Sequence, residues 1–315
     1  ASVSQIGADW ISTFTEGMMP DNITVANVQT YKANVELLLQ QQDSRLAGKV
    51  TVGSYVGKAA SVVEQFGETA AVAKTSRHSD TPLLDITQSK RWVFPADYEW
   101  ASLIDSQDKL RMIIDPTSPY AAAGAAAMNR VKDDIILAAM FGTNYIGENG
   151  TTTESFGSVG TGTYDVGVNT GGTASGLNVA KLQGAIRILM TANKGELMEP
   201  VFGAISSYEH DLLLKEAQIA NRDYGNTAVL VDGRVKRFMG IDFTITERLS
   251  VSSGNRLVPV WLKSGMHLGI WNDMQVEIGP RPDKSYATQV YLAMTLGATR
   301  TQLGKLVRVV CDDQI

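Results

Sequence analysis

The residues of this sequence able to do acid–base, nucleophilic or metal chemistry are few and scattered. They include three histidines, His78, His210 and His267, and one cysteine, Cys311. Metal sites and acid–base catalysts need such groups clustered, in spacings such as His-x-x-x-His or Cys-x-x-Cys, and neither occurs. The neighbouring carboxylates Asp133-Asp134 and Asp312-Asp313 could serve as an acid–base or Mg²⁺ pair. Adjacent residues on a helix point about 100° apart, so the first pair reads as solvated. Gly53-Ser54-Tyr55-Val56-Gly57-Lys58 imitates a phosphate loop, but it is one residue short and runs into Ala59 where Ser or Thr is needed. Gly157-x-x-Gly160-x-Gly162 is a dinucleotide fingerprint written backwards, with no strand before it and no helix after it. A Gly-x-Ser-x-Gly nucleophile elbow is absent. The expectation is a non-enzymatic protein with no catalytic, cofactor-binding or metal-binding residues and no cofactor.

Charge is the other chemistry available. The 28 Lys plus Arg against 33 Asp plus Glu give a formal net charge of -5, the wrong sign for neutralising phosphates, which disfavours a general nucleic-acid binder. Two local basic runs stand out, Lys74-Thr75-Ser76-Arg77-His78 and Lys90-Arg91-Trp92-Val93-Phe94. The second could stack bases and contact phosphates. Strand alternation gives a different reading, with Trp92 and Phe94 against protein and Arg91 turned toward an acidic partner. A single cysteine forms no intramolecular disulfide and fits a reducing compartment. No segment reaches the ~18 consecutive apolar residues of a membrane span, and the polar start lacks a signal-peptide pattern.

The elements that must carry these groups follow from periodicity. The chain is long enough to bury a sizeable core and to divide into roughly two domains. Residues 21–42 read as an arm ending in a short helix. Residues 49–56 alternate as a strand, and a second extended stretch covers 85–98. The weakly patterned segment between them makes this a long hairpin, marginally stable by itself in water. Ser118-Pro119 opens a helix with Tyr120, Ala123, Gly124, Ala127, Met128, Val131, Ile135, Ala138 and Phe141 on one face and Gly142 at its end. It spans about 23 residues, or ~35 Å, with Arg130 and Asp134 spaced as an i,i+4 pair. Its small residues, Ala127 among them, permit close approach by a neighbour.

Residues 147–176 are rich in Gly, Thr and Ser and read as an extended surface loop. Asn178 caps a helix carrying Leu182, Ile186 and Leu189, stopped by Gly195. Residues 200–205 form a buried strand. Ser206-x-x-Glu209 is a capping box opening a further helix through Leu212, Leu213 and Ala217. Asp232-Gly233 suits a tight hairpin turn, and further strands are expected near 243–246, 258–263, 266–270, 289–295 and 306–310. This is an α+β pattern and not a doubly wound nucleotide fold.

Particular residues add a resemblance. Ile104-Asp105-Ser106-Gln107-Asp108 leads into Ile114-Asp115-Pro116, and Pro119-Tyr120 opens the helix with Arg130, Asp133, Asp134 and its Phe141-Gly142 exit. Phe238-Met239-Gly240-Ile241, Ser285-Tyr286, Gly297-Ala298-Thr299-Arg300 and the run from Val307 to Asp312 follow in order. In this order the chain resembles the major capsid proteins of tailed bacteriophages with the Hong Kong 97-type fold. The resemblance implies an N-arm at 1–46, an E-loop at 47–100 and a peripheral domain at 101–175 with a spine helix at about 118–142. It also implies an axial domain at 176–280 and terminal strands at 281–315 completing both sheets.

The function it implies is self-assembly into hexamers and pentamers of an icosahedral head enclosing double-stranded DNA without sequence-specific binding. Assembly would take place in the bacterial cytoplasm, with or without a scaffolding or cement protein, and the product would be the virion. The alternatives are a protein-filled compartment shell of the encapsulin type, which shares the fold, and an enzyme with an unrecognised site. The hairpin that cannot support itself is expected to lie on an adjacent subunit, where Arg77, Lys90 or Arg91 meets carboxylates. Arg77, Lys90, Arg91, Trp92 and Ala127 are the candidate subunit-interface residues.

Overall fold

A computed structural model describes residues 41–313, apart from 75, 79, 82, 106–116, 158, 161, 171, 196, 217–229 and 232–233. Residues 1–40 of the arm, the Ile114-Asp115-Pro116 lead and the Asp232-Gly233 turn lie outside the described residues. In chain order the first elements are β1 (Thr51–Ser54), β2 (Ala60–Phe66), β3 (Gln88–Val93), β4 (Ala96–Ile104) and the long helix α1 (Thr117–Phe141). The glycine-rich tract contributes β5 (Asn144–Ile146), β6 (Thr152–Glu154), β7 (Asp165–Val166), β8 (Asn169–Thr170) and β9 (Thr173–Ala174). Then come α2 (Val179–Ala192), β10 (Val201–Ile205), α3 (Ser207–Lys215), β11 (Leu230–Val231), β12 (Arg234–Val235), β13 (Arg237–Phe238) and β14 (Ile241–Ile245). The last five strands are β15 (Val251–Ser252), β16 (Asn255–Leu262), β17 (Met266–Arg281), β18 (Ala287–Arg300) and β19 (Leu306–Asp312). The α+β class expected from the sequence is the one observed.

One sheet, labelled peripheral after the expectation above, has the order β1-β17-β18-β4. Val290, Leu292, Met294 and Leu296 alternate inward along β18 and are buried, as a sheet covered on one face requires, and α1 provides the cover. The approach is closest at Gly124, where a Cβ would fall 2.6 Å from the Trp100 ring and 2.7 Å from Leu292. The helix does not bury quite the face its periodicity suggests: Ala126, Met128, Asp133, Ile136 and Met140 are buried, whereas Ala138 is exposed. An alanine-rich stretch carries little contrast between faces, which is why its seam is hard to read.

A second sheet, labelled axial after the same expectation, runs β13-β14-β10-β16-β19-β7, with β15 paired to β16. Residues 256–262 of β16 are all buried, and from Leu257 to Leu262 they form the continuous apolar run of a central strand. Asn178 caps α2 by accepting the Lys181 N–H, and Gly195, at φ 117°, closes it with a bond from its N–H to the Met190 carbonyl. The Ser206/Glu209 capping box of α3 is formed in full.

The projecting hairpin is not the one the alternation suggested. Its first strand is β2, and β1 instead pairs in parallel with β17. A register shift between Ser61 and Val63 breaks the alternation of β2 and hides it in the sequence. β1 and the first half of β4, within the expected 47–100 loop, are strands of the peripheral sheet, which leaves residues 60–93 as the hairpin. β5 and β6 extend the root of the hairpin into a four-stranded sheet. β17, within the expected axial segment, also belongs to the peripheral sheet for its whole length.

Candidate subunit interface

The five candidate residues fall into different environments. Lys90 pairs with Glu64 at 3.1 Å, directly across the hairpin. Arg91 is buried; its Nε donates to the Thr301 carbonyl at 2.8 Å and its Nη1 meets Glu154 at 3.0 Å. The acidic group facing Arg91 is thus in the same chain. Arg91 and Val93 point inward while Phe94 is exposed, because the strand lies between β2 and β5 and buries the face toward Thr301. Trp92 is half-buried; its Nε1 donates to the Gly147 carbonyl at 2.8 Å and its ring lies over Gly150. These contacts fix the root of the hairpin to its own subunit.

Farther along the hairpin the picture changes. Arg77 is exposed, as is Lys74, and among the described residues no carboxylate pairs with either. Phe66, Val72, Leu83, Leu84 and Ile86 are exposed apolar side chains on the same excursion, with Leu83 at 96% exposure. Ala127 is half-buried on α1.

On the face of the peripheral sheet opposite α1, Asp97, Glu99 and Glu277 are exposed. Asp97 and Glu99 on β4, Tyr291 and Thr295 on β18 and Glu277 on β17 share that face by register. Glu99 accepts the Tyr291 hydroxyl at 3.2 Å and Asp97 accepts the Thr295 hydroxyl at 2.6 Å. The Glu99 contact first, then the nearby charges of Glu99, Glu277 and Asp97, raise the Tyr291 phenol above its ordinary pKa. A groove of about 660 Å³ continues this face between Glu277, Arg281, Gln289 and Tyr291.

Two buried polar groups that the sequence reading did not assign hold these surfaces in place. Asp133, expected in a solvated pair, is fully buried and accepts from Ser44 Oγ at 2.6 Å and from the backbone N–H groups of Arg45 and Leu46. Asp134 instead meets Arg248 from the axial domain, and Arg130 donates to the Gln41 carbonyl at 3.0 Å. Arg300 ends β18 with no exposed surface and donates from Nη1 to the carbonyls of Met140 at 2.6 Å and Gly142 at 3.2 Å, capping α1. Burial lowers its pKa to about 10, Glu154 opposing and Arg91 and Arg308 reinforcing the shift. Arg300 and Arg308 both lie against the Phe156 ring, 5.1 and 4.9 Å from its centre, and Arg308 pairs with buried Asp165 at 2.6 Å. Phe156 is an apolar side chain within an otherwise Gly/Thr/Ser-rich tract.

The residues weighed for chemistry have structural partners. Asp313 is paired with Arg256 at 2.7 Å. Asp165 accepts the N–H groups of Gly160 and Gly162, so the backwards fingerprint binds the chain's own carboxylate. His210 accepts the Val235 N–H at 3.1 Å, and His78 sits in an exposed turn at φ 65°. Among the described residues, no three His, Cys, Asp or Glu side chains are grouped to hold a metal, and no helix is long and apolar enough to cross a membrane.

A helix-backed sheet, a second mixed sheet and a hairpin held at its root by Arg91 and Trp92 define an α+β protein. The chain belongs to the phage capsid protein family, whose profile matches residues 23–313. No curated protein sequence matches it. Its fold is shared with the capsid protein of cyanophage P-SCSP1u (16% identity, 94% of this chain and 95% of that one covered, TM-score 0.69). It is shared equally with the capsid of cyanophage Pam1 (13%, 96% and 99%, TM-score 0.67) and the head of Helicobacter pylori bacteriophage KHP40 (10%, 95% and 100%, TM-score 0.67).

Proposed function

We propose that this capsid protein is the major, shell-forming subunit of a phage head, non-enzymatic, closing with its own copies into pentamers and hexamers around double-stranded DNA. Residence in the virion after assembly in the bacterial cytoplasm belongs to the same reading. The observation that carries it is the hairpin at residues 60–93, anchored at its root by Arg91 and Trp92 while Phe66, Val72, Leu83, Leu84 and Ile86 stay exposed. Fully burying one such side chain contributes about 1.5–3 kcal/mol, a gain that a neighbouring subunit would supply. The hairpin acts as the E-loop, the sheet covered by α1 forms the peripheral domain and the sheet centred on β16 the axial domain. The net charge of -5 suits a wall that need not bind the DNA it encloses. The family match favours a phage head over a protein-filled compartment.

The exposed acidic face of the peripheral sheet is the surface that receives the hairpin of the adjacent subunit. Strand spacing and register put the Cα atoms of Glu99 and Glu277 about 12 Å apart. Lys74 and Arg77, at most ~10 Å apart along the chain, reach both with their long side chains. Each exposed pair is worth only ~0–1 kcal/mol, so its effect depends on repetition around the shell. Reversing both cations, Lys74→Glu with Arg77→Glu, is expected to cut the yield of closed particles. Adding Glu99→Lys and Glu277→Lys is expected to restore it. Unchanged particle yield in the first variant, or no recovery in the second, contradicts the pairing.

A further inference from the structure

The hairpin leaves the peripheral sheet at Tyr55, whose side chain folds back over the sheet it has just left. Its ring lies 5.7 Å from that of His267 and 5.5 Å from that of Trp271. Two glycines make room for it: a Cβ on Gly53 would sit 2.8 Å from the Tyr55 hydroxyl, and one on Gly269 3.2 Å from its ring. The glycine spacing that imitates a phosphate loop therefore serves to seat a tyrosine. Immediately beyond, Val56 is 97% exposed and Gly57 takes φ 103°, a pivot open to glycine.

The hydrogen bonds around His267 determine its protonation. Thr51 Oγ1 donates its only proton to the Met266 carbonyl at 2.7 Å, so at 3.0 Å it accepts from His267 Nδ1–H. That leaves Nε2 as the acceptor of the Tyr55 hydroxyl, 2.9 Å away. His267 is 8% exposed. Thr51 on β1 and Thr299 on β18 flank it by register, and the Tyr55 ring lies beside it. Tyr55 is the one titratable group among them, and none carries a charge.

We propose that Tyr55 and His267 form an acid-released latch holding the root of the projecting hairpin to the peripheral sheet. A proton added at Nε2 occupies the lone pair that accepts the phenol and buries a cation with no carboxylate to meet it. The cheapest relief is local. β1 is four residues long and, among the described residues, forms the edge of its sheet and pairs only with β17, so its parting lets the imidazolium reach water while the core stays closed. Burial lowers the His267 pKa to about 4. Between that value and the ordinary ~6.5 the opened form binds more protons than the closed one. The latch is therefore complete above about pH 6.5 and weakens as pH falls toward 4.

The test is hydrogen–deuterium exchange of the full chain at pH 7 and pH 4.5, corrected for intrinsic exchange, comparing the amides of residues 51–55 with those of β16. In the wild type the protection of 51–55 is expected to fall on the order of 50-fold more than that of β16. In His267→Gln, which keeps polar contacts but does not titrate, this extra loss should disappear. Tyr55→Phe should lower protection of the same amides already at pH 7. Undiminished protection of 51–55 in the wild type at pH 4.5, the same acid loss in His267→Gln, or wild-type protection at pH 7 in Tyr55→Phe would each overturn the latch.

Discussion

The carboxylate of Asp133, inside α1, accepts the backbone N–H of Leu46 at 3.1 Å, binding the peripheral helix to a segment that precedes β1. The same group also accepts from Arg45 N and Ser44 Oγ. Removing it strands several donors in a buried place, at about 1–3 kcal/mol for each left unpaired. Asp133→Ala is expected to lower subunit stability by about 2–4 kcal/mol, read as a urea midpoint at unchanged slope. Asp134→Asn, which loses only a partly exposed pair with Arg248, should cost less than about 1 kcal/mol.

Gly124 and Ala127 divide the small-residue face of α1. Gly124→Ala gains about 1 kcal/mol of helix propensity but drives a methyl group into Trp100 and Leu292, an overpacking that typically costs ~1–3 kcal/mol. The expected net result is a lowered melting temperature. Ala127→Leu starts from a half-buried position and should perturb the isolated subunit less than Gly124→Ala does. Its larger effect is expected on particle closure, scored by electron microscopy.

Arg300 satisfies the last carbonyls of α1 from inside the core. Arg300→Met keeps much of the volume and leaves the Met140 and Gly142 carbonyls without their donor. A loss of about 2–4 kcal/mol follows, with the C-terminal turn of α1 exchanging first in hydrogen–deuterium exchange. Arg300→Lys should recover only part of it, because an ammonium cannot span the same carbonyls.

Cys311 lies fully buried in β19, and burial pushes its thiol pKa up to about 12. At pH 8 the folded chain should react with a thiol reagent only as fast as it unfolds, so adding urea should raise the rate in step with the unfolded fraction. Immediate modification of the native chain would show that β19 opens locally.

Much of the architecture was legible in the sequence, and the failures have identifiable causes. Periodicity located α1, α2 and the capping box of α3, because each has an apolar repeat or a local hydrogen-bonding signature. Adjacency misread Asp133: neighbouring carboxylates look solvated until a loop from elsewhere in the chain brings four donors to one of them. The bulge in β2 concealed a strand, and the direction of Arg91 depended on Glu154 and Thr301, which are 63 and 210 residues away. Pairings over such separations leave no trace in a local pattern. The exposed tip carrying Arg77 was visible early because nothing near it in sequence could cover it.

The central claim is that residues 60–93 are rooted in their own subunit and completed by another. Electron cryomicroscopy of particles formed by the full chain tests this most directly. The account predicts closed shells in which Leu83, Leu84 and Arg77 contact a neighbouring subunit while Arg91 stays on Glu154 of its own. A shell whose hairpin tips touch no neighbour, or a chain that remains monomeric under conditions where it is folded, would contradict it.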